Sequence, residues 1–159
     1  MTKEQDSQNH DLHRQFTSQL FTAARVWRRS IDAVLSKHGI SEACASPLVW
    51  IGRLGGGIRQ IALAEQVGIE GPSLVRLLDQ LETSGMVVRK DDPTDRRAKG
   101  LWLTPEGERM AAKIEAVLDE GRAGVLEGVS RKDLEAALRV LLVFQSRCTD
   151  LRASLDRKD

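Results

Sequence analysis

Pro72, Ser73 and Arg76 have the types and spacing to read double-stranded DNA. They fall at the start and first exposed turn of a helix that opens Gly71-Pro72-Ser73, where backbone N–H groups face outward. A serine hydroxyl can bond a phosphate or a base, and an arginine can make two parallel hydrogen bonds to guanine. Gln80 shares that outward face. Further along, Arg96 and Arg97 sit at the tip of the charged loop Asp91-Asp92-Pro93-Thr94-Asp95-Arg96-Arg97-Ala98-Lys99. A guanidinium there suits a narrow minor groove, whose negative potential needs no base-specific contact. Asp95 can pair with Arg97 and fix its direction. Arg89 and Lys99 read as phosphate contacts, Asp91 and Asp92 as a solvated turn.

These residues need elements to hold them, and the pattern supplies them in order. Residues 58–67 predict a short amphipathic helix with Ile58, Ile61, Ala62 and Val67 toward a core. Gly68-Ile69-Glu70 is a turn. In the next helix Leu74, Leu77, Leu78 and Leu81 bury, which turns Ser73, Arg76 and Gln80 outward. Ser84-Gly85 closes it. Two β-like runs, 86–90 and 100–104, then flank the charged loop. Helix, turn, helix and hairpin make a winged helix-turn-helix.

Upstream, Phe16, Leu20, Ala24, Trp27, Ile31 and Val34 lay an apolar stripe along a helix from about residue 11 to just before Gly39. A second helix is expected from Ser46-Pro47 to Leu54, with Pro47 in its first turn and Gly55-Gly56-Gly57 as a flexible joint. Downstream, Thr104-Pro105-Glu106 starts a helix that runs to about Gly128. Ser130 to Asp133 forms a capping box for the last one. There Leu134, Ala137, Leu141, Phe144, Cys148, Leu151 and Leu155 alternate steps of three and four, the seam of helices that pair with other helices. Packing within the same chain is the alternative. The expected fold is mainly α with a small β-hairpin wing. Residues 11–38 and 105–155 form a helical dimerisation lobe, residues 46–104 the DNA-binding lobe, and residues 1–10 and 156–159 flexible tails.

Composition narrows the function. The 159 residues are 41% hydrophobic and 30% charged, but only 4% aromatic with no Tyr, which disfavours a β-sandwich. No apolar run is long enough for a bilayer, and the polar N-terminus lacks a signal peptide, so the expected place is the cytoplasm. Lys and Arg total 24 against 23 acids, so DNA binding must come from local placement, not bulk charge. Between residues 53 and 104 there are 8 basic residues, and five of them fall between Arg89 and Lys99. Cys44 and Cys148 match no metal spacing and read as thiols; His10, His13 and His38 form no metal pair. No metal or cofactor is expected. Gly55-Gly56-Gly57 lacks the lysine and Ser/Thr of a phosphate loop, and no Ser-His-acid set is suggested, so an enzyme is not expected. The rival readings are a winged-helix protein adaptor and an architectural DNA protein; the wing's Arg96-Arg97 beside outward Ser73 and Arg76 disfavour the first, near-neutral charge the second.

Leu63-Ala64-Glu65, the run from Gly71 to Glu82, Gly85-Met86-Val87, Asp95-Arg96-Arg97-Ala98-Lys99 and Leu103-Thr104-Pro105-Glu106-Gly107 together resemble the MarR family of bacterial transcription regulators. The SlyA-like branch is the nearest in pattern. The resemblance implies a homodimer whose first and last helices interlock, with Leu134, Leu141, Phe144, Leu151 and Leu155 in the contact. Two winged units would then read the halves of a pseudo-palindrome on double-stranded DNA, in repression or activation. It implies Arg76 as the major-groove reader and Arg97 as the minor-groove arginine, oriented by Asp95. It also implies a small aromatic acid as effector. Trp27, Arg28, His38 and Trp50 are the candidates, combining an apolar wall with a cation; Trp27 also lies on the apolar stripe, where core packing alone accounts for it.

Overall fold

The computed structural model describes residues 3–91 and 99–155. The order is α1 (Lys3–Lys37), α2 (Glu42–Arg53), β1 (Ile58–Arg59), α3 (Gln60–Val67), α4 (Gly71–Thr83), β2 (Val87–Asp91), β3 (Lys99–Leu103), α5 (Pro105–Val125) and α6 (Arg131–Leu155). The chain divides into two compact units, Met1–Gly121 and Arg122–Asp159. No helix among the described residues is long and apolar enough to cross a membrane.

The first unit is built around α2. Leu48, Val49 and Ile51 of that helix meet Leu35 of α1, Leu63 of α3, Leu74 and Leu78 of α4, Leu101 of β3 and Ile114 of α5 in one buried cluster. Residues 3–10, expected as a tail, instead continue α1. Gly39, in the left-handed region, ends that helix, and the Ile40 N–H returns to the Leu35 carbonyl at 3.1 Å.

Helix α2 begins earlier than Ser46-Pro47. The Ser41 hydroxyl accepts from the Cys44 N–H at 3.3 Å and caps it, which leaves Pro47 inside the helix. Proline lacks the N–H that an interior position would use. Here its ring is fully buried in the core, and that burial offsets the lost bond.

Residues 58 and 59 are a strand, not the first turn of a helix. Ile58 pairs with Leu101 and Arg59 with Gly100, so β1 joins the hairpin in a three-stranded antiparallel sheet ordered β1-β3-β2. Starting α3 two residues later changes which of its residues face inward. Leu63 is fully buried, Ala64 and Val67 half-buried, and Ile61, expected in the core, is 79% exposed. The glycine joint is an ordered turn: Gly56 N–H bonds to Ile51 O at 3.1 Å and Gly57 N–H to Leu101 O at 2.8 Å.

Helix α4 has the expected phase, with Leu74, Leu78 and Leu81 buried and Leu77 half-buried. Strands β2 and β3 pair from Val87↔Leu103 to Asp91↔Lys99. Thr104 caps α5 by accepting from the Gly107 N–H at 3.1 Å, and its hydroxyl donates to Gly85 O at 2.6 Å. One side chain thereby ties the end of the hairpin to the α4–β2 turn.

The second unit holds the end of α5 and α6. Ser130 caps α6, accepting from the Asp133 N–H at 3.1 Å. No residue of α6 is buried. Leu134, Leu141 and Phe144 are half-buried, while Leu151 and Leu155 of the seam are exposed. Leu138, Val140, Leu142 and Val143, off the seam, are exposed as well, so the apolar surface is wider than a single a/d stripe.

Candidate nucleic-acid interface

Pro72 stands in the first turn of α4, where its missing N–H costs nothing and its fixed φ suits the helix. With Leu74, Leu78 and Leu81 turned inward, Pro72, Ser73, Arg76 and Gln80 are all exposed, the first three within the opening turns. Val75 and Asp79 lie on the same outward side. The helix presents a serine and an arginine at its N-terminal end, the end that enters a major groove in winged helices.

Arg89, expected as a phosphate contact, meets two carboxylates of α4. From β2 its guanidinium donates to Asp79 Oδ1 at 2.6 Å and to Glu82 of α4. Its side chain is only 25% exposed. The hydrogen bond to Asp79 raises its pKa above the ordinary arginine value, opposed by burial and aided by the Glu82 charge. Arg89 thereby clamps the wing to α4. It also offsets one of the two negative charges that Asp79 and Glu82 would otherwise turn on a phosphate backbone.

Lys99 Nζ lies 2.6 Å from Asp91 Oδ1, and the pair closes the last rung of the hairpin at its loop end. Both groups are well exposed, so the pair is weak and Lys99 can exchange its partner for a phosphate. Asp91 is thus the last residue of β2 and a partner for Lys99, not merely a solvated turn. Asp92, Asp95, Arg96 and Arg97 lie outside the described residues.

The wing is seated by Trp102. A Cβ on Gly56 would come within 2.4 Å of its indole ring, and one on Gly100 within 2.5 Å. Gly56 also has φ +82, a backbone that side chains rarely adopt. Gly56, Gly57 and Gly100 therefore serve as the floor for an indole, and Lys90 lies 5.7 Å over the ring's centre. Sequence reasoning missed this seat; a glycine triplet followed by a strand carrying a lone tryptophan was its only signal.

The four effector candidates are dispersed through the first unit. Trp27 is half-buried and reaches to 4.0 Å of a Cβ position at Gly121 of α5. Trp50 carries the Arg53 guanidinium 5.5 Å from its centre, and Arg53 makes a bidentate pair with Glu115 at 2.6 and 3.0 Å. That pair raises the Arg53 pKa, against a smaller opposing effect of burial. His38 is exposed just past the end of α1. Arg28 lines a hollow of about 390 Å³ with Ala24, Arg25 and Arg29.

Two packed helices, an outward N-terminal reading end and a seated hairpin define a winged helix-turn-helix regulator. The MarR family model matches residues 38–98. The transcriptional regulator PA3341 is 37% identical, with 85% of this chain and 98% of that one covered and a TM-score of 0.80. The chain belongs to the MarR family. CouR from Rhodococcus jostii RHA1, solved with p-coumaroyl-CoA bound, is 28% identical over 77% of this chain and 85% of its own, with a TM-score of 0.70. NadR, solved in complex with 4-hydroxyphenylacetate, is 26% identical over 81% and 91%, with a TM-score of 0.72.

Proposed function

We propose that the protein is a homodimeric, sequence-specific regulator that binds pseudo-palindromic promoter sites, in the manner of the SlyA-like branch. The observation that carries this reading is the outward end of α4. Pro72, Ser73 and Arg76 are exposed together there, while the helix's two acids nearest the wing are both held by Arg89, which offsets one of their charges. In this reading Ser73 and Arg76 contact bases or phosphates, Gln80 lies at the edge of the contact, and Lys99 meets the backbone. Arg97 enters the minor groove with Asp95 as its orienting partner and Arg96 beside it. The broad apolar surface of α6 supports pairing of two copies through their last helices, joined by their first. Residues 46–104 then act as the reader and the helices outside it as the dimerisation lobe.

An aromatic acid or its thioester is the proposed effector, on the strength of the ligands carried by CouR and NadR. Arg28, in a hollow shared with Arg25 and Arg29, is placed to meet a carboxylate or phosphate. A ligand that alters the spacing of the two recognition helices by a few ångströms would break register with half-sites about 34–36 Å apart. The test is selection of bound fragments from sheared genomic DNA at about 0.15 M salt, where nonspecific attraction is screened. An enriched palindrome is expected. Fragments bound without any shared motif would overturn sequence-specific reading.

A further inference from the structure

Arg53, the last residue of α2, is held on two sides. Its guanidinium forks onto Glu115 of α5 at 2.6 and 3.0 Å and lies 5.5 Å from the centre of the Trp50 ring. Asp119, one turn further along α5, adds its charge to the attraction. We infer that Arg53 is a positioning residue: its fork on Glu115 fixes the direction in which α5 leaves the reader, and with it the spacing of DNA half-sites that a dimer accepts. The inference rests on the dimeric DNA reading proposed above.

Everything else that holds this part of α5 is apolar. The two helices approach closely at Gly52, where a Cβ would stand 3.7 Å from the Cβ of Ala111. Ile114 and Val117 are buried in the core cluster. Apolar burial has no direction of its own, so these contacts press α5 onto the core without choosing its angle sharply. A guanidinium on a carboxylate does choose, because its two parallel hydrogen bonds are lost together when the plane turns. Trp50 backs the guanidinium and limits that turning from the α2 side. Glu115 lies one turn past Ala111, so the fork acts off the point of closest crossing and opposes rotation about it.

Leverage makes a small angle matter. Helix α5 runs on unbroken from Glu115 to Val125, about 15 Å at about 1.5 Å per residue. A change of about 10° at the fork therefore moves its far end by roughly 3 Å, enough to shift a half-site out of register. The side chains of the pair are 41% and 29% exposed, so the fork adds little to folding stability. Its effect on direction can thus be read apart from its effect on the fold.

The test is competition among duplexes that carry two copies of the selected half-site at different separations, using the full chain. The unaltered protein should favour one separation. Arg53→Met and Glu115→Gln should each cut its preference over the next best by about threefold, with base preference inside each half-site unchanged. Glu115→Gln keeps the size of the side chain and guards against a variant that simply fails to fold. A preference as sharp as before in both variants would overturn the inference. So would weaker binding at every separation alike, which would assign the pair to stability alone. An unaltered protein indifferent to the separation would instead overturn the dimeric reading, and this inference with it. A second measurement works without DNA. In the chain carrying Cys44→Ser, Cys148→Ser and Thr83→Cys, spin labels at the exposed end of α4 report the distance between the readers of two copies. One narrow distribution is expected, broadened in Arg53→Met; equal widths would overturn the role of Arg53.

Discussion

Helices α4 and α6 carry the same kind of leucine spacing and use it in opposite ways. In α4, Leu74 and Leu78 are wholly buried and Leu81 nearly so, all within one chain. In α6 nothing is buried, and Leu142 and Leu151 stand more than 60% exposed. A periodic apolar face states that a helix must pack; it does not state against which chain. For α4 the answer is the core around α2. The surplus of apolar surface on α6 is what the proposed pairing with a second copy would cover, because exposed apolar surface of this kind marks an interaction surface. The reader is thus self-contained, while the last helix is unfinished as a monomer.

The sharpest way to break this contrast is Leu141→Glu. A carboxylate in the α6 seam should convert the dimer to monomer or aggregate in light scattering, while leaving the helical signal of the first unit. An intact dimer would mean that the seam serves another purpose. Where α5 leaves the reader, Gly107→Ala should be the costliest small change. Its Cβ would lie 2.0 Å from the Met86 carbonyl oxygen, so the start of α5 must shift away from the α4–β2 turn. A loss of about 3 kcal/mol in denaturant unfolding is expected, and a loss under about 0.5 would show that the close approach relaxes freely.

Arg76→Ala and Arg97→Ala separate the two proposed modes of reading. The first should cost about 1–3 kcal/mol on a specific site and relax base preference opposite α4. The second should weaken the same site several-fold without relaxing preference in the major groove. Identical effects on sequence preference would merge the two roles. Arg89→Met has the smallest expected effect, about 1 kcal/mol of stability, because its partners are partly solvated. Its DNA affinity should still fall, although Arg89 itself touches no DNA in this account. Unchanged affinity would show that the clamp does not position the wing.

The leucine phase of α4, the Thr104 cap and the hairpin runs were legible in the sequence because each is a local signal. What was not legible depends on partners distant in the chain. Ile58 and Arg59 become a strand only because Leu101 and Gly100 lie alongside, and two residues have no period to read. With them in the sheet, Leu63 is the buried residue of α3 and Ile61 is exposed, while Val67 stays half-buried. Arg89 looked like any wing cation until the hairpin folded it back onto Asp79 and Glu82. The outward serine and arginine of α4 needed only the helix phase, and that is why they could be named from sequence. The four effector candidates needed tertiary neighbours, and the structure spreads them over α1, its C-terminal end and α2.

The central claim is that two self-contained readers, joined through helices incomplete on their own, grip one DNA site. Native mass spectrometry of the protein on a selected duplex tests it most directly. Two chains per duplex are predicted, with a complex that collapses when one half-site is scrambled. A stable complex of one chain per duplex, indifferent to the second half-site, would contradict the account.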